Sequence, residues 1–340
     1  MIFYAGNILS KHGYTPTFIE SLTPKFSEHY SIISVSDKKN QIVRLADMIT
    51  GFLKNKKKIK LVLIDSYSLR AFWFTYALAV LSRQYKIPYM PILRGGGYPE
   101  RLQKSKKLCD YIFTNSARNI SPSLYLKDQF EKCGYKTDYI PNFINIKNYK
   151  FTERTSIKPT LLWVRSFDRT YNPLMAIEII KLLKIKYPDA KLCMVGPDKD
   201  GSMNDVLKLT EKYGLTDSVV FTGKKSKREW AELSEQYDIF INTTDYDNHP
   251  VSVIEAMALG LPVVSTDVGG IPFLIEDERD GLLTKPGDAV KFTEKIEILI
   301  KDNALAKNIS LNARKKAVEF DWERVKEKWF EVINPYLKHS

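Results

Sequence analysis

The chain has 340 residues, of which 44% are hydrophobic and 27% are charged, so it is long enough to bury two separate cores. No run approaches the ~20 consecutive apolar residues of a membrane-spanning helix. The formal net charge is +12, but there is no zinc-finger, recognition-helix or RNA-binding-sheet signature, which argues against a nucleic-acid-binding protein.

Strand-like runs alternate with helical patterns through the first half of the chain, which is typical of a parallel sheet. The predicted strands are 2–5, 31–34, 60–65, 89–93 and 111–115. The most apolar run, 71–81, is bracketed by Arg70 and Arg83. It is too short for a membrane span and predicts a buried helix.

A second series of strand-like runs follows, at 160–164, 191–195, 219–221, 238–242, 262–265 and 282–284. Two series of strands predict two Rossmann-like domains. Between them, the stretch from Ile140 to Pro159 is the best candidate for a linker. We therefore place one domain at 1–155 and another at 156–320, followed by a C-terminal helix at 321–340.

The chain begins directly with a strand-like run and shows no secretory signal pattern. Its three cysteines, Cys109, Cys133 and Cys193, have neither disulfide nor metal-ligand spacing. Both features favour a reducing, cytoplasmic location.

The most informative stretch is 238–270. It starts with a predicted strand, and Pro250 suits the first position of the helix that follows, which Gly260 ends. Asp247 and Asn248 then lie around the helix start, at the edge of a parallel sheet where ligands bind.

Glu255 lies beside the apolar face of this helix. Its carboxylate is either a partly buried acid that accepts hydrogen bonds from the hydroxyls of a sugar or ribose, or an acid favoured near the positive helix end by ~0.3–1 kcal/mol. The spacing alone does not separate these two interpretations.

This stretch resembles the signature of the retaining nucleotide-sugar glycosyltransferases of family 4. That signature has two acids separated by seven residues, an Ala-rich helix, Gly-x-Pro-Val-Val and a Gly-Gly turn. Asp247 and Glu255 have that separation, although the first acid is usually Glu and is followed here by Asn-His-Pro. The resemblance implies an α/β protein with the GT-B fold, in which two Rossmann-like domains with parallel sheets face each other across a cleft. The domain at 1–155 would be the acceptor side, joined by the C-terminal helix at 321–340, and the domain at 156–320 would bind the nucleotide sugar.

The resemblance also implies roles for individual residues. Asp247 would be a catalytic residue that positions the donor sugar, and Glu255 would hold the ribose of the nucleotide. The other donor-binding residues that it implies follow Asp247 directly: Asn248, His249, Pro250, Val251 and Ser252.

Arg165 follows the predicted strand 160–164, at the edge where a ligand lies. Its planar guanidinium can bind two phosphate oxygens, or it can pair with a neighbouring acid such as Asp168. In the family, a lysine five or six residues later joins this arginine in neutralising the diphosphate leaving group. This chain has no lysine there, so we predict that Arg165 is catalytic and that Arg169 replaces the lysine.

The first half offers weaker candidates. Gly13 matches a donor-side loop of the family whose usual glycine pair is His12-Gly13 here. Arg94 stands near a point where many relatives have a histidine that contacts the donor sugar. We predict that Gly13 is donor-binding and that His12 and Arg94 are acceptor-side residues, although each also fits an ordinary loop residue.

Together these features predict a retaining glycosyltransferase that moves a sugar from a nucleoside diphosphate to the hydroxyl of a glycan or lipid-linked acceptor. The expected setting is bacterial cell-surface polysaccharide or glycolipid synthesis. The alternatives are a catalytically silent sugar-nucleotide-binding protein and a GT-B sugar-nucleotide epimerase. We expect no cofactor and no essential metal, and we interpret Asp198 and Asp200 as turn residues, although Asp-x-Asp triplets bind metal in other glycosyltransferases.

Lysine and arginine cluster at 54–60, 101–107 and 224–228. Such clusters are either solvated faces or an attraction to an anionic membrane surface, where each nearby cation contributes ~1 kcal/mol. The second interpretation predicts a peripheral protein at the inner face of the membrane, close to a lipid-linked acceptor.

Overall fold

The computed structural model describes residues 1–14 and 16–337. In this part of the chain the structure forms two six-stranded sheets, and every pair of neighbouring strands is parallel. The α/β class and the two parallel sheets predicted from the sequence are therefore confirmed.

The first sheet has the order β2-β1-β3-β4-β5-β6. Its strands are β1 (Ile2–Ala5), β2 (Ile32–Val35), β3 (Leu61–Ser66), β4 (Tyr89–Leu93), β5 (Asn119–Ser121) and β6 (Thr137–Tyr139). The helices that connect them are α1 (Phe18–Ser27), α2 (Gln41–Asn55), α3 (Phe72–Gln84), α4 (Tyr98–Lys104), α5 (Lys106–Phe113) and α6 (Leu124–Lys132).

The second sheet has the order β12-β11-β10-β7-β8-β9. Its strands are β7 (Thr160–Val164), β8 (Lys191–Val195), β9 (Val219–Gly223), β10 (Ile239–Asn242), β11 (Val263–Thr266) and β12 (Leu282–Thr284). The helices that follow β7 are α7 (Pro173–Leu183), α8 (Ser202–Lys212), α9 (Lys227–Leu233), α10 (Val251–Leu259), α11 (Ile271–Leu274), α12 (Ala289–Lys301), α13 (Asn303–Val318) and α14 (Trp322–Leu337).

Helices cover both faces of the second sheet, which explains why its strands are apolar without alternation. Within β7, Leu161 and Trp163 point into one apolar cluster with α7 and α12. Leu162, between them, points into the opposite cluster with α10 and α13. The sheet is thus buried on both sides, and polar residues at its strand ends are left at the carboxyl edge, where a ligand can reach them.

The chain divides into two compact units. One comprises Met1–Pro141 and the chain from Lys326 onward, and the other comprises Asn142–Val325. The division falls before the boundary at 155/156 that the sequence suggested, because Tyr149 and Ile157 are buried in the clusters of the second unit. Helix α14 starts in the second unit and contributes Trp329 to the first, where its ring packs edge-on against Phe26.

One predicted strand is wrong. Most of the 111–115 run belongs to α5, because Cys109, Ile112 and Phe113 have helical spacing and share its buried face. The strands that complete this sheet, β5 and β6, have only three residues each. The periodicity of such short strands is too brief to separate them from loops.

Candidate active site

A loop and a helix start form the centre of the candidate site in the second unit. β10 ends at Asn242, and α10 begins at Val251 after Pro250, which is the N-cap residue. No side chain of the described residues caps α10, so the amides of its first turn remain available to a ligand. In residues 1–14 and 16–337, the buried hydroxyl of Ser252 also lacks a hydrogen-bond partner.

The Gly269-Gly270 turn is required by close packing against this loop. A Cβ on Gly270 would lie 1.7 Å from the carbonyl oxygen of Asn248, and one on Gly269 would lie 2.3 Å from that of Asp247. The amide of Gly270 donates to the Asp247 carbonyl at 2.8 Å. The two glycines therefore fix the backbone that carries the first acid of the signature.

Arg165 and Asp247 meet at the carboxyl edge of the sheet. Arg165 Nη2 lies 2.6 Å from Asp247 Oδ2, and both side chains are mostly buried. Arg165 Nε donates to Asn242 Oδ1 at 3.3 Å, and its guanidinium lies 4.8 Å from the centre of the Tyr171 ring. The arginine does pair with an acid, but the partner is the other predicted catalytic residue and not Asp168.

Asp168 instead pairs with Lys199, a residue of the loop after β8. Lys199 Nζ lies 2.5 Å from Asp168 Oδ2. Burial raises the pKa of Asp168, but hydrogen bonds from Lys199 and Thr170 outweigh burial and hold this pKa below its usual value. Lys199 also interacts electrostatically with Tyr171, the residue on which Arg165 stacks. Arg165 and Lys199 are thus both cations that interact with Tyr171.

Arg169 lies elsewhere. Its side chain is 79% exposed, and its guanidinium is 3.8 Å from Asp205 on α8. The backbone amide of Arg169 donates to Asp200, and Asp198 and Asp200 accept further bonds from Gly201 and Ser202. The two aspartates therefore stabilise a turn. That Arg169 binds the donor stays a prediction, and its position beside Asp205 gives that prediction no support.

Glu255 is buried and held from two sides. Its Oε1 accepts a hydrogen bond from the Tyr149 hydroxyl at 2.6 Å and lies 2.7 Å from Lys227 Nζ. Burial and the neighbouring carboxylate raise the pKa of Tyr149 well above its ordinary value, so the phenol stays protonated and donates. The Glu255 carboxylate is buried among hydrogen-bond donors, but these donors are side chains of the protein itself. A contact between Glu255 and the hydroxyls of a sugar or ribose stays a prediction.

The second unit contains a pocket of about 460 Å³, which Glu255 itself does not line. Tyr149 and Lys227, the two residues that hold the carboxylate, both line it. The remaining lining residues come from the segment before β7, from α9 and the turn that follows it, and from the end of α10: Asn148, Lys150, Arg228, Ala231, Glu232, Glu235 and Leu259. Its volume is in the range of small-molecule sites, which are about 300–1,000 Å³.

His249 and Asn248 are held within the loop before α10. The His249 side chain is buried, its amide donates to Asp247 Oδ1 at 3.2 Å, and its ring packs edge-on against Phe320. Asn248 Oδ1 accepts from the Tyr246 hydroxyl at 3.0 Å. These contacts fix the loop, and donor contacts for both residues stay a prediction.

The glycine loop of the first unit is open. Gly13 ends a short 3₁₀ turn with φ of +86°, and a Cβ built on it would meet nothing within 4 Å. His12 is exposed, and its Nε2 hydrogen-bonds to the Asp37 carbonyl at 2.8 Å. Here the glycine is required by its left-handed backbone. The roles of Gly13 and His12 stay predictions.

Arg94 is packed inside the first unit. Its guanidinium lies 3.4 Å from the centre of the Phe18 ring, and its Nε is 3.5 Å from the buried Asp65. The Tyr4 hydroxyl donates to the same carboxylate at 2.9 Å. Burial raises the pKa of Asp65, although Arg94 and Tyr4 act to lower it. The predicted acceptor-side arginine therefore has an internal partner.

Comparison with protein families decides the relationship. The model of "Glycosyl transferases group 1" matches residues 146–316, just over half of the chain, including Arg165, Asp247 and Glu255. The chain belongs to this family.

No helix among the described residues is long and apolar enough to cross a membrane.

Individual group 1 relatives match over shorter stretches. Sulfoquinovosyl transferase SQD2 of Arabidopsis thaliana is 30% identical over 43% of this chain and 28% of its own length. N-acetyl-alpha-D-glucosaminyl L-malate synthase of Bacillus anthracis is 32% identical over 38% of this chain and 33% of its own length. The alignment thus covers about a third or less of the length of each of these two relatives.

Solved structures are similar to this protein in fold over nearly its whole length. Sucrose-phosphate synthase of Thermosynechococcus elongatus aligns over 100% of this chain and 99% of its own, with a TM-score of 0.83 and 17% identity. Anabaena HepE in complex with UDP and glucose aligns over 98% of this chain and 99% of its own, with a TM-score of 0.78 and 17% identity. These alignments confirm the GT-B fold.

Four residues that contact the predicted site residues or their neighbours were not predicted from the sequence. They are Asn242 and Tyr171, which contact Arg165, Lys199, which pairs with Asp168, and Tyr149, which donates to Glu255. Asn242 carried a usable signal, since it is a polar residue at the end of a buried strand. Lys199 gave none, because its place beside Asp168 depends on β7 and β8 being neighbours in the sheet.

Proposed function

We propose that this protein is a retaining glycosyltransferase that moves a sugar from a nucleoside diphosphate to an acceptor hydroxyl. The observation that carries the proposal is the Arg165–Asp247 pair beside the uncapped start of α10, in a chain whose family is shown by the match over 146–316. The crystal complex of HepE with UDP and glucose supports this class of donor.

Stabilisation of the leaving diphosphate is the main catalytic contribution in this proposal. The first-turn amides of α10 and the positive end of its dipole face the phosphates, and Arg165 adds a full charge. These groups are in place before the bond breaks, so they stabilise the negative charge where it develops. Asn242 and Tyr171 position the guanidinium, and Lys199 is the nearby candidate for a second cation.

The acids bind and orient the donor. Asp247 contacts the donor sugar and orients Arg165, and Glu255 accepts hydrogen bonds from the ribose hydroxyls, with the nucleoside against the pocket that Tyr149 and Lys227 line. The departing diphosphate accepts the proton of the acceptor hydroxyl on the same face of the sugar. The anomeric configuration is thereby retained, and no enzyme carboxylate attacks.

We further propose that no metal ion is required and that the acceptor is a glycan or a lipid-linked glycan at the inner face of the membrane. Fixed cations take the place of a metal in this scheme. The excess of basic residues in the first unit supports attraction to an anionic surface.

Thermal unfolding against a panel of nucleoside diphosphates and their sugar conjugates, with chelator present, tests the donor site. A ligand at a hundred times its dissociation constant should stabilise the protein by ~2.7 kcal/mol. Glu255→Ala should abolish the shift for the matching nucleotide. Glu294→Ala, which removes an exposed acid of α12, is the matched control and should keep it.

Transfer itself is tested with the nucleotide sugar that gives a shift, offered with a panel of glycan and lipid-linked acceptors. The anomeric proton of the product, read by NMR, should have the configuration of the donor. Binding of a donor without turnover of any acceptor would favour a silent binding protein. Conversion of the donor without an acceptor would favour an epimerase.

A further inference from the structure

A stripe of apolar side chains runs along α3, exposed at Leu69 and Trp73 and half-buried at Tyr76 and Val80. Leu69, Trp73, Tyr76 and Val80 follow one another at spacings of four, three and four residues, so they share one face of the helix and the turn before it. Leu69 is 74% exposed and Trp73 is 50% exposed. The other four tryptophans, Trp163, Trp230, Trp322 and Trp329, are buried.

Aromatic contacts fix the stripe and extend it onto α5. The Trp73 ring packs edge-on against Tyr76, with centroids 5.8 Å apart, and Tyr76 contacts Tyr111 of α5 at 5.4 Å. The guanidinium of Arg83 lies 4.3 Å from the centre of the Tyr111 ring. Trp73, Tyr76 and Tyr111 thus form a continuous row that ends at a cation.

Positive charge surrounds this row. Between residues 67 and 111 the sequence has eight lysines or arginines and two acids, Glu100 and Asp110, which are paired with Lys104 and Lys106. Arg70, Arg83 and Lys107 are exposed and make no ion pair with any described residue. Lys107 lies one helical turn before Tyr111, on the same side of α5.

We propose that this docking stripe, defined as Leu69, Trp73, Tyr76, Val80 and Tyr111 with the cations Arg70, Arg83 and Lys107, binds the surface of an anionic phospholipid bilayer. Tryptophan and tyrosine prefer the headgroup level because one end of each ring system is apolar and the other is polar. Arginine and lysine around them meet lipid phosphates. The helix then lies in the plane of the membrane.

The charges favour lipid over a second copy of the chain. A symmetric dimer would place the same patch on both partners, so the unpaired cations would face one another. A bilayer supplies both an apolar layer for Leu69 and Trp73 and negative charge for the three cations.

The position of the stripe connects it to the proposed acceptor. It begins directly after β3, at the carboxyl edge of the first sheet, where the amide of Arg94 donates to Ser66 and Gly95 packs against Ser68. Docking would hold this edge at the membrane surface. The inference therefore rests on the proposed lipid-linked acceptor for its purpose, but the binding itself needs neither donor nor transfer.

Vesicle cosedimentation tests the stripe. The full-length protein should bind vesicles of phosphatidylcholine containing phosphatidylglycerol, bind pure phosphatidylcholine much more weakly, and dissociate as salt is raised. Brominated lipid should quench the emission of Trp73, because it is the exposed tryptophan. Leu69→Ser/Trp73→Ser should lose binding, whereas Ile185→Ser, at a site 75% exposed in the second unit, should keep it.

A variant that removes only exposed charges tests the proposal without changing the apolar side chains of the docking stripe. Arg70→Gln/Arg83→Gln/Lys107→Gln should weaken binding by about fivefold for each cation removed. Lys208→Gln/Lys212→Gln/Lys285→Gln removes the same charge from exposed residues of the second unit and should have little effect. Nucleotide-induced thermal shifts should be unchanged in both, which separates a failure of docking from a failure of the donor site.

Three results would overturn the proposal: no binding of the wild-type chain to anionic vesicles, equal binding by both charge variants, or no quenching by brominated lipid. Concentration-dependent dimerisation that Leu69→Ser/Trp73→Ser abolishes, without vesicle binding, would assign the stripe to a second copy instead.

Discussion

The two units have the same parallel architecture, but they treat the polar residues at their strand ends in opposite ways. In the first unit these residues neutralise one another inside the structure: Asp65 is held by Tyr4 and Arg94, and Arg94 stacks on Phe18. In the second unit, Arg165 and Asp247 also pair, but they do so beside first-turn amides that no described side chain caps.

This difference shows that a buried ion pair at a strand end does not mark a ligand site by itself. Unsatisfied polar atoms occur in both units, since Asp65 Oδ2 also has no hydrogen-bond partner among the described residues. What distinguishes the second unit is the uncapped start of α10 with its Ser252 hydroxyl, whereas α1 in the first unit starts with a capping box formed by Thr17 and Glu20. Such groups are costly to leave without a partner, and a phosphate can satisfy them.

The largest expected effect is on Arg165. Arg165→Ala should lower kcat/KM by about 10²–10³, as does the loss of one donor that stabilises a developing negative charge. Arg169→Ala is the matched control and should change kcat/KM little, because its side chain is exposed beside Asp205. Steady-state kinetics with the donor found by thermal shift would decide, and comparable activities of the two variants would contradict the proposed role of Arg165.

The second effect concerns the loop that carries Asp247. Gly270→Ala should lower the free energy of unfolding by about 1–3 kcal/mol, because the added Cβ overlaps the Asn248 carbonyl. Gly214→Ala, with φ of +63° and open space around its Cβ, should cost about 1 kcal/mol from backbone strain alone. Urea unfolding measures both, and only Gly270→Ala should also weaken nucleotide binding.

Local patterns explain what the sequence could predict. The strand, helix and glycine turn around Asp247 lie within about thirty residues of chain, so turn chemistry and spacing locate them. Partners from separate strands could not be found in this way. Arg165 lies between Asn242 and the Lys199 loop because β7 lies between β10 and β8, an order that does not follow the sequence. The buried partner of Arg94 lies at the end of β3, which precedes β4 in the sequence and is its neighbour in the sheet.

A smaller effect on kcat/KM would show whether Lys199 or Arg169 is the second cation that joins Arg165 in stabilising the diphosphate. Lys199→Met should lower kcat/KM by about tenfold, which corresponds to ~1.4 kcal/mol, because the lysine interacts with Tyr171, whose ring contacts the guanidinium of Arg165. Arg169→Met should have less effect. If Arg169→Met lowered kcat/KM more than Lys199→Met did, Arg169 would be the substitute for the missing lysine. Its side chain would then have to move away from Asp205 when the donor binds.

The smallest expected effect is a change in how stability depends on pH, and its sign differs between the units. The folded-state pKa of Asp65 is raised above its ordinary value of 3.8. The folded state therefore binds more protons than the unfolded state between 3.8 and the raised value. The contribution of Asp65 to stability is present below 3.8 and is lost as pH rises through the folded-state pKa.

Asp168 has the opposite sign, because hydrogen bonds from Lys199 and Thr170 overcome burial and lower its pKa below 3.8. Its contribution is present above 3.8 and is lost as pH falls through the folded-state pKa. Urea unfolding of Asp65→Asn and Asp168→Asn at a series of pH values, each compared with wild type, measures the two slopes separately. Asp65→Asn should remove a decline of stability with rising pH, and Asp168→Asn should remove a decline with falling pH. If the two slopes of unfolding free energy against pH had the same sign, Arg94 would be holding Asp65 in its ionised form. The strand-end acids of the two units would then have the same charge and would differ only in their access to a ligand.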